Sequence, residues 1–268
     1  MTVMTDQWIL NRRNFEGCWQ GVGRWFERLG EQPIDWTVPT RVIDPTRYLI
    51  SFSDPDTGLW DGSGLFFAPR GTAQYPISRS TYNGGGSCWQ FEGAGGQSSR
   101  LLDPDQPRFG HEINLFHGRS RSMLVLIWTR SADQWVLQVA GAVGFRCQTA
   151  AVQEPERPTG GTAEAMLEPL RGWHGRVQRL MPAVGVELQP TTQQELRFDP
   201  KQLLIHPCSV AMPDGLVFSV PEQLPETAFR LEVGGLLGPQ LFQQVSILFD
   251  ASGELSAWER RMFHPDPT

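Results

Sequence analysis

The chain contains no long apolar run. None of its 268 residues falls in a window like the roughly 20 apolar residues a membrane-spanning helix needs. The stretch MTVMTDQWILNRRNF at the start has no apolar segment long enough for a secretory leader. A soluble, cytoplasmic protein is therefore expected. Cysteine is scarce and scattered. Cys18, Cys88, Cys147 and Cys208 lie far apart, and without a Cys-x-x-Cys there is no zinc or thioredoxin-like spacing. Small buried thiols in a reducing compartment are expected instead. Basic charge does not dominate either. A net charge of −6 and a pI near 5.4 argue against nucleic acid and against anionic membrane surfaces as partners. Arginines cluster once, at Arg119, Arg121 and Arg130, and read as solvated turn and strand ends rather than a basic docking patch. The glycines at 84–86 and 93–96 are followed by no Gly-Lys-Ser/Thr, so they read as turns and not as a phosphate loop. No nucleophile elbow occurs.

What is present suits a folded β protein. The chain is 40% hydrophobic and 19% charged, enough for a sizeable core in one large domain or two small ones. Its 28 Gly and 21 Pro suit many turns. Ten Trp is a high count, and indoles fill ordinary cores as well as pockets. In NFEGCWQGVGRW, Trp19, Gly21, Gly23 and Trp25 share one face of a strand. A large indole beside residues without side chains suits a sharply curved strand closely crossed by another segment. Tyr48, Ile50 and Phe52 then alternate with Arg47, Leu49 and Ser51. DPDTGLWDGSG reads as a turn-rich connection, Gly64 to Ala68 as a short strand, and GAGGQ as a glycine turn. With SCWQFEG, RFGHEINLFHG, SMLVLIWT and WVLQVAGAVGFRC, eight or nine short strands are available before residue 150. Met123 to Trp128 is apolar on both faces, so its outer face needs a cover, and the second half of the chain is the obvious one.

Residues 151–165 are polar and rich in Pro, Gly and Glu, and read as a linker between a unit at 1–150 and another at 166–268. Ala163 to Leu170 suits a helical turn or two. RGWHGRV then repeats the CWQGV pattern weakly. VGVELQ, QELRFD, KQLLIH, CSVAM, LVFSV, FRLEVGGLL, LFQQVSILF and ELSAWERRMF supply strands, with Pro213-Asp214-Gly215 as a tight turn. Each half closes on a strand with arginine near aromatics. If the last strand returns beside the first, Arg146 is expected over Trp19, and Arg260 or Arg261 over Trp173, each a cation–π contact of about 0.5–2 kcal/mol.

Gly17-x-Trp19 with an arginine on the closing strand resembles the calycin pattern. Together with FGHEINLFHG, PDGLVFSVP and ILFDASGELSAWERRMF, it makes the chain similar to an uncharacterised cyanobacterial and plastid family of tandem lipocalin-like proteins. The resemblance implies an all-β fold of two tandem antiparallel lipocalin-like β-barrels and a cyanobacterial-type cytoplasm. It implies no activity, cofactor or catalytic residue. The second half lacks the spacer between Gly172 and Trp173 and is short for eight strands. Two readings stay open for it: a closed barrel, or a flattened half-barrel sharing a core with the first.

Candidate chemistry concentrates in FGHEINLFHG. His111 and His117 share a face but stand about 20 Å apart at roughly 3.3 Å per residue, too far to ligate one metal. Glu112 and Asn114 share the opposite face. Pointing inward, they would orient a ligand in an apolar cavity or supply an acid of raised pKa. Pointing outward, they would meet solvent or brace a loop. Trp60, Tyr82 and Trp89 suit a barrel mouth or, alternatively, core packing. No role is expected for His206 and Cys208, and His174 is expected to be exposed at a strand start. The expected function is non-catalytic binding of a small apolar or amphipathic ligand such as a pigment, isoprenoid, lipid or bilin. The alternatives are a bilin-lyase-like or isomerase-like enzyme in the same cavity, and an assembly factor binding a protein partner. No metal or cofactor is expected.

Overall fold

A computed structural model describes residues 6–63, 65, 74–131, 133–158, 161–182 and 191–266. Helix α1 (Gln7–Phe15) starts at Asp6, whose carboxylate accepts from the Ile9 amide at 2.6 Å, and ends on Arg12 and Arg13. The chain then runs through β1 (Gly17–Glu27), β2 (Arg41–Phe52), β3 (Thr57–Asp61), β4 (Gln74–Ser78), β5 (Cys88–Phe91), β6 (Ala94–Ser98), β7 (Arg108–His117), β8 (Ser120–Ser131) and β9 (Gln134–Cys147). These form one antiparallel sheet in the order β4-β3-β2-β1-β9-β8-β7-β6-β5. It is an up-and-down meander, curled into a half-barrel, whose first strand is hydrogen-bonded to its last. Among the described residues the sheet is unzipped between β4 and β5.

The curl starts where the glycines of β1 permit it. A Cβ at Gly21 would lie 2.3 Å from the Gly144 carbonyl oxygen, and one at Gly23 would lie 2.8 Å from the Thr46 hydroxyl. The β1–β2 register shifts between these two glycines, the mark of a bulge that bends the strand. Trp19 and Trp25 are buried on the inner face with Tyr48, Ile50, Met123, Val125, Val143 and Phe145.

Helix α2 (Ala163–Leu167), a 3-10 turn (Glu168–Leu170), β10 (His174–Leu180), β11 (Thr191–Arg197), α3 (Pro200–Leu203), β12 (Cys208–Met212), β13 (Leu216–Val220), β14 (Phe229–Gly238), β15 (Leu241–Phe249) and β16 (Leu255–His264) complete the chain. The second antiparallel sheet has the order β11-β10-β16-β15-β14-β13-β12. Again the first strand pairs with the last, and among the described residues the edges are β11 and β12.

The two sheets share one core. Leu124, Leu126 and Trp128 of β8 pack with Leu231, Val233, Val245 and Ile247 of the second sheet. The apolar outer face of β8 is thus covered by the second half of the chain, as its sequence requires. The far face of the second sheet is filled by Met166, Leu167 and Leu170 against Phe198, Phe242 and Phe263. A buried ion cluster ties the sheets together. Asp214, fully buried in the turn between β12 and β13, accepts from Arg146 at 2.6 and 3.2 Å and from the Ser122 hydroxyl at 2.6 Å. It also accepts from the Arg157 backbone amide at 2.9 Å. Gly144 leaves room for it, since a Cβ there would stand 2.7 Å from the Asp214 carboxyl carbon.

Several expectations are corrected. Arg146 does not lie over Trp19. Cys147 is the register partner of Trp19, so strand alternation turns Arg146 to the opposite face, towards Asp214. Arg119 takes the place, 5.0 Å from the indole centroid. Neither Arg260 nor Arg261 reaches Trp173. They pair in register with Gln178 and Val177, and Arg260 bonds Gln178 and Gln243 while Arg261 bonds Ser246. Arg121 is no solvated strand end, because its side chain is 1% exposed. Part of DPDTGLWDGSG is strand β3, GAGGQ lies largely in β6, and KQLLIH begins with α3. Most of the expected strand from Gly64 to Ala68, and all of VGVELQ, lie outside the described residues. The four cysteines are free.

Candidate functional site

The unzipped seam of the first sheet opens into a cavity of about 270 Å³. Helix α1 bridges this seam. The Gln7 side-chain amide donates to the Gln90 carbonyl at 2.8 Å and accepts from the Gln90 amide at 2.7 Å, serving the edge of β5 as another strand would. Asn14 donates to Phe91 and to the Gln90 side chain, both at 2.9 Å. On the other side, Trp8 and Arg12 donate to the Pro55 carbonyl at 2.8 and 2.7 Å. Gln7, Asn11 and Asn14 lie at helical spacing, so one polar stripe of α1 meets the strand edge. Phe15 turns inward from the last turn.

Phe15, Tyr48, Ile50, Trp60, Tyr75 and Ile77 give the cavity its apolar walls, and Asn11, Tyr82, Gln90 and Glu112 bring polar groups. Of the residues singled out in the sequence, Trp60, Tyr82 and Glu112 line it together. Asn114 lies directly behind, fully buried, donating to Glu112 Oε1 at 2.9 Å and to the Gly95 carbonyl at 3.2 Å. Trp89 belongs elsewhere. Its neighbours Cys88 and Gln90 line the cavity, so alternation turns Trp89 outward into the core between the sheets, where it stacks on Trp258 at 6.3 Å.

Arg121 is the residue of the candidate site that sequence reasoning missed. Its Nε donates to Asn114 Oδ1 at 2.7 Å and its Nη2 to Glu112 Oε1 at 3.3 Å. Its guanidinium carbon lies 4.6 Å from the Tyr48 ring centroid, 4.9 Å from Phe15 and 5.0 Å from Phe145, a cation–π box. Its Nη1 is buried with no hydrogen-bond partner. One signal was present in the sequence: Arg121 is in phase with Met123 and Val125, on the inward face of a strand buried on both sides.

Burial raises the pKa of the Tyr48, Tyr75 and Tyr82 phenols, so they stay neutral donors at physiological pH. The same effect pushes the Cys88 thiol up to about 11, away from thiolate chemistry. His111 sits in the core between the sheets, edge-on to Phe109 at 4.7 Å, with both ring nitrogens unbonded and its pKa lowered to about 3 by burial. His117 is exposed, 3.5 Å from Glu154. His174, 43% exposed at the start of β10, lies 3.4 Å from Asp266. His206 Nε2 bonds the Arg230 carbonyl at 2.9 Å, and burial pushes the Cys208 thiol up to about 12. Among the described residues no group of three or more His, Cys, Asp or Glu could hold a metal ion. No described helix is long and apolar enough to cross a membrane.

No protein-family model matches the chain. No curated protein matches it either. Among solved structures, a Mycobacterium avium subspecies paratuberculosis tesB protein and a putative thioesterase II from Thermobifida fusca align with TM-scores of 0.14 and 0.15, too low to bear on this fold. A protein of unknown function from the DUF3598 family of the cyanobacterium Nostoc punctiforme is different. It aligns at a TM-score of 0.70 over 98% of this chain and 100% of its own, at 17% identity. The chain thus shares its whole two-sheet fold with that cyanobacterial protein.

Proposed function

We propose that the protein binds a small amphipathic ligand in the seam cavity of the first sheet, without catalysing a reaction on it. The observation that supports this most is the Glu112 carboxylate. It is held by Asn114 and Arg121 beneath aromatic walls, and its side chain is still 26% exposed. A buried arginine is costly unless paired, and apolar replacements often serve stability as well or better. A fixed polar group on the wall of an otherwise aromatic cavity is what orients a ligand. Non-catalytic binding is favoured by the raised pKa of Cys88, Tyr75 and Tyr82, which keeps these wall residues protonated. The reading includes a reducing cytoplasm, supported by the free cysteines, and calycin kinship, supported by the pairing of first and last strands in both sheets.

Native mass spectrometry after gentle purification tests it. A retained small-molecule adduct that Trp60→Ala loses is the expected result. An adduct equal in both proteins places the ligand elsewhere. Bare protein that also fails to take up 1-anilinonaphthalene-8-sulfonate overturns the reading.

A further inference from the structure

Resting on that reading, we infer that the cavity selects a flat unsaturated ring bearing an N–H or O–H donor over an aliphatic chain. One wall is built flat. Trp60 and Tyr75 are register partners across β3 and β4, and their rings stack 4.6 Å apart at 25°. Both are only half-buried, so the stack remains accessible. The indole is laid down by a glycine. A Cβ at Gly62 would fall 1.9 Å from Trp60 Cη2 and 2.5 Å from Cζ2, so any side chain there would lift the ring off the strand. Tyr48 meets the same indole edge-on, at 5.7 Å and 73°, and so sets the end of the slot. Flat apolar faces favour offset stacking on another π-system, a preference an alkyl chain cannot use.

The polar groups complete the match. Glu112 is the cavity's carboxylate. Its Oε1 already accepts from Asn114 and Arg121, while among the described residues no hydrogen bond engages Oε2, which is an acceptor for a ligand N–H or O–H. The Tyr82 hydroxyl is buried beside Gln90, so the acceptor offered to a ligand is Glu112 Oε2. At about 270 Å³ the space is smaller than the roughly 300–1,000 Å³ typical of ligand pockets. It suits one ring or a small fused pair, free or as the terminal ring of a longer molecule, and leaves little depth for a chain.

Calorimetric titration of the wild-type protein with indole, N-methylindole and dodecanoate separates the possibilities without disturbing the buried ion pair. Indole is expected to bind saturably at one site. N-methylindole, which keeps the ring and loses the donor, is expected to bind at least about tenfold more weakly, because the acceptor is left unpaired. Trp60→Ala, checked for a retained cooperative melting transition, is expected to abolish indole binding. Equal binding of indole and N-methylindole overturns the donor requirement. Saturable binding of dodecanoate but not indole overturns the ring while leaving the cavity as the binding site. If none of the three binds, the functional reading falls with it.

Discussion

In the first sheet, the face turned away from the common core holds Arg121, Glu112 and Tyr48 around an open seam. In the second, much of the same face is closed by its own residues. Phe198, Phe242 and Phe263 pack ring against ring under Leu167 and Leu170. Topology does not distinguish the two, since both are meanders whose first strand pairs with the last. The cover does. Helix α1 lies across the first seam and bonds strand edges through the amides of Gln7 and Asn14, while its Trp8 packs on Phe52 and Tyr82 and its Phe15 lines the cavity without filling it. Helix α2 and the 3-10 turn meet the second sheet with Met166, Leu167 and Leu170, which do fill space. Capacity for a ligand therefore follows from the residues a covering helix presents.

The strongest way to break the comparison is to separate the sheets. Asp214→Ala leaves Arg146 buried without its carboxylate and is expected to destabilise the protein by about 3–5 kcal/mol in chemical denaturation. A loss below 1 kcal/mol, on the order of an exposed pair, would show that the cluster does not hold the sheets together. Next comes the contrast between a filled face and an open one. Phe242→Ala empties a packed position and is expected to cost about 3–5 kcal/mol. Trp60→Ala, at a half-buried wall, is expected to cost about 1 kcal/mol. Similar losses at both sites would erase the distinction.

A smaller effect concerns the core that both sheets share. Burial lowers the His111 pKa from 6.5 to about 3, so the folded protein resists a proton that the unfolded chain accepts. Above pH 6.5 the imidazole is neutral in both states and costs nothing. As pH falls from 6.5 towards about 3, the unfolded state gains protons first and stability is lost. The loss is at most about 1.4 kcal/mol per pH unit. His111→Phe is expected to flatten this slope in denaturation series between pH 7 and 5. An unchanged slope would mean that His111 is not the group responsible.

Much of the fold was legible because period-two alternation is local. The burial of Met123 to Trp128 on both faces and the turn at Pro213-Asp214-Gly215 both follow from residue order alone. Register is not local, and a slip of one residue reverses a face. Trp19 pairs with Cys147 rather than Arg146, so the arginine expected inside reaches outward to Asp214. Ala94 to Ser98 has the composition of a turn, yet β5 and β7 offer ladders on both sides and the segment pairs as a strand. In the site, Trp60, Tyr82 and Glu112 could be picked out as an aromatic–carboxylate set. Arg121 could not be picked out by residue type, because its burial depends on four rings from α1, β2, β7 and β9 converging on one guanidinium.

The most direct measurement labels the tryptophan indole nitrogens with 15N and follows their N–H resonances, assigned by single Trp→Phe changes, during titration with indole. The Trp60 resonance is expected to move progressively to saturation while those of Trp173 and Trp258, in the second half, stay fixed. Movement of Trp173 or Trp258 with Trp60 unmoved would contradict the assignment of the binding site to the first sheet.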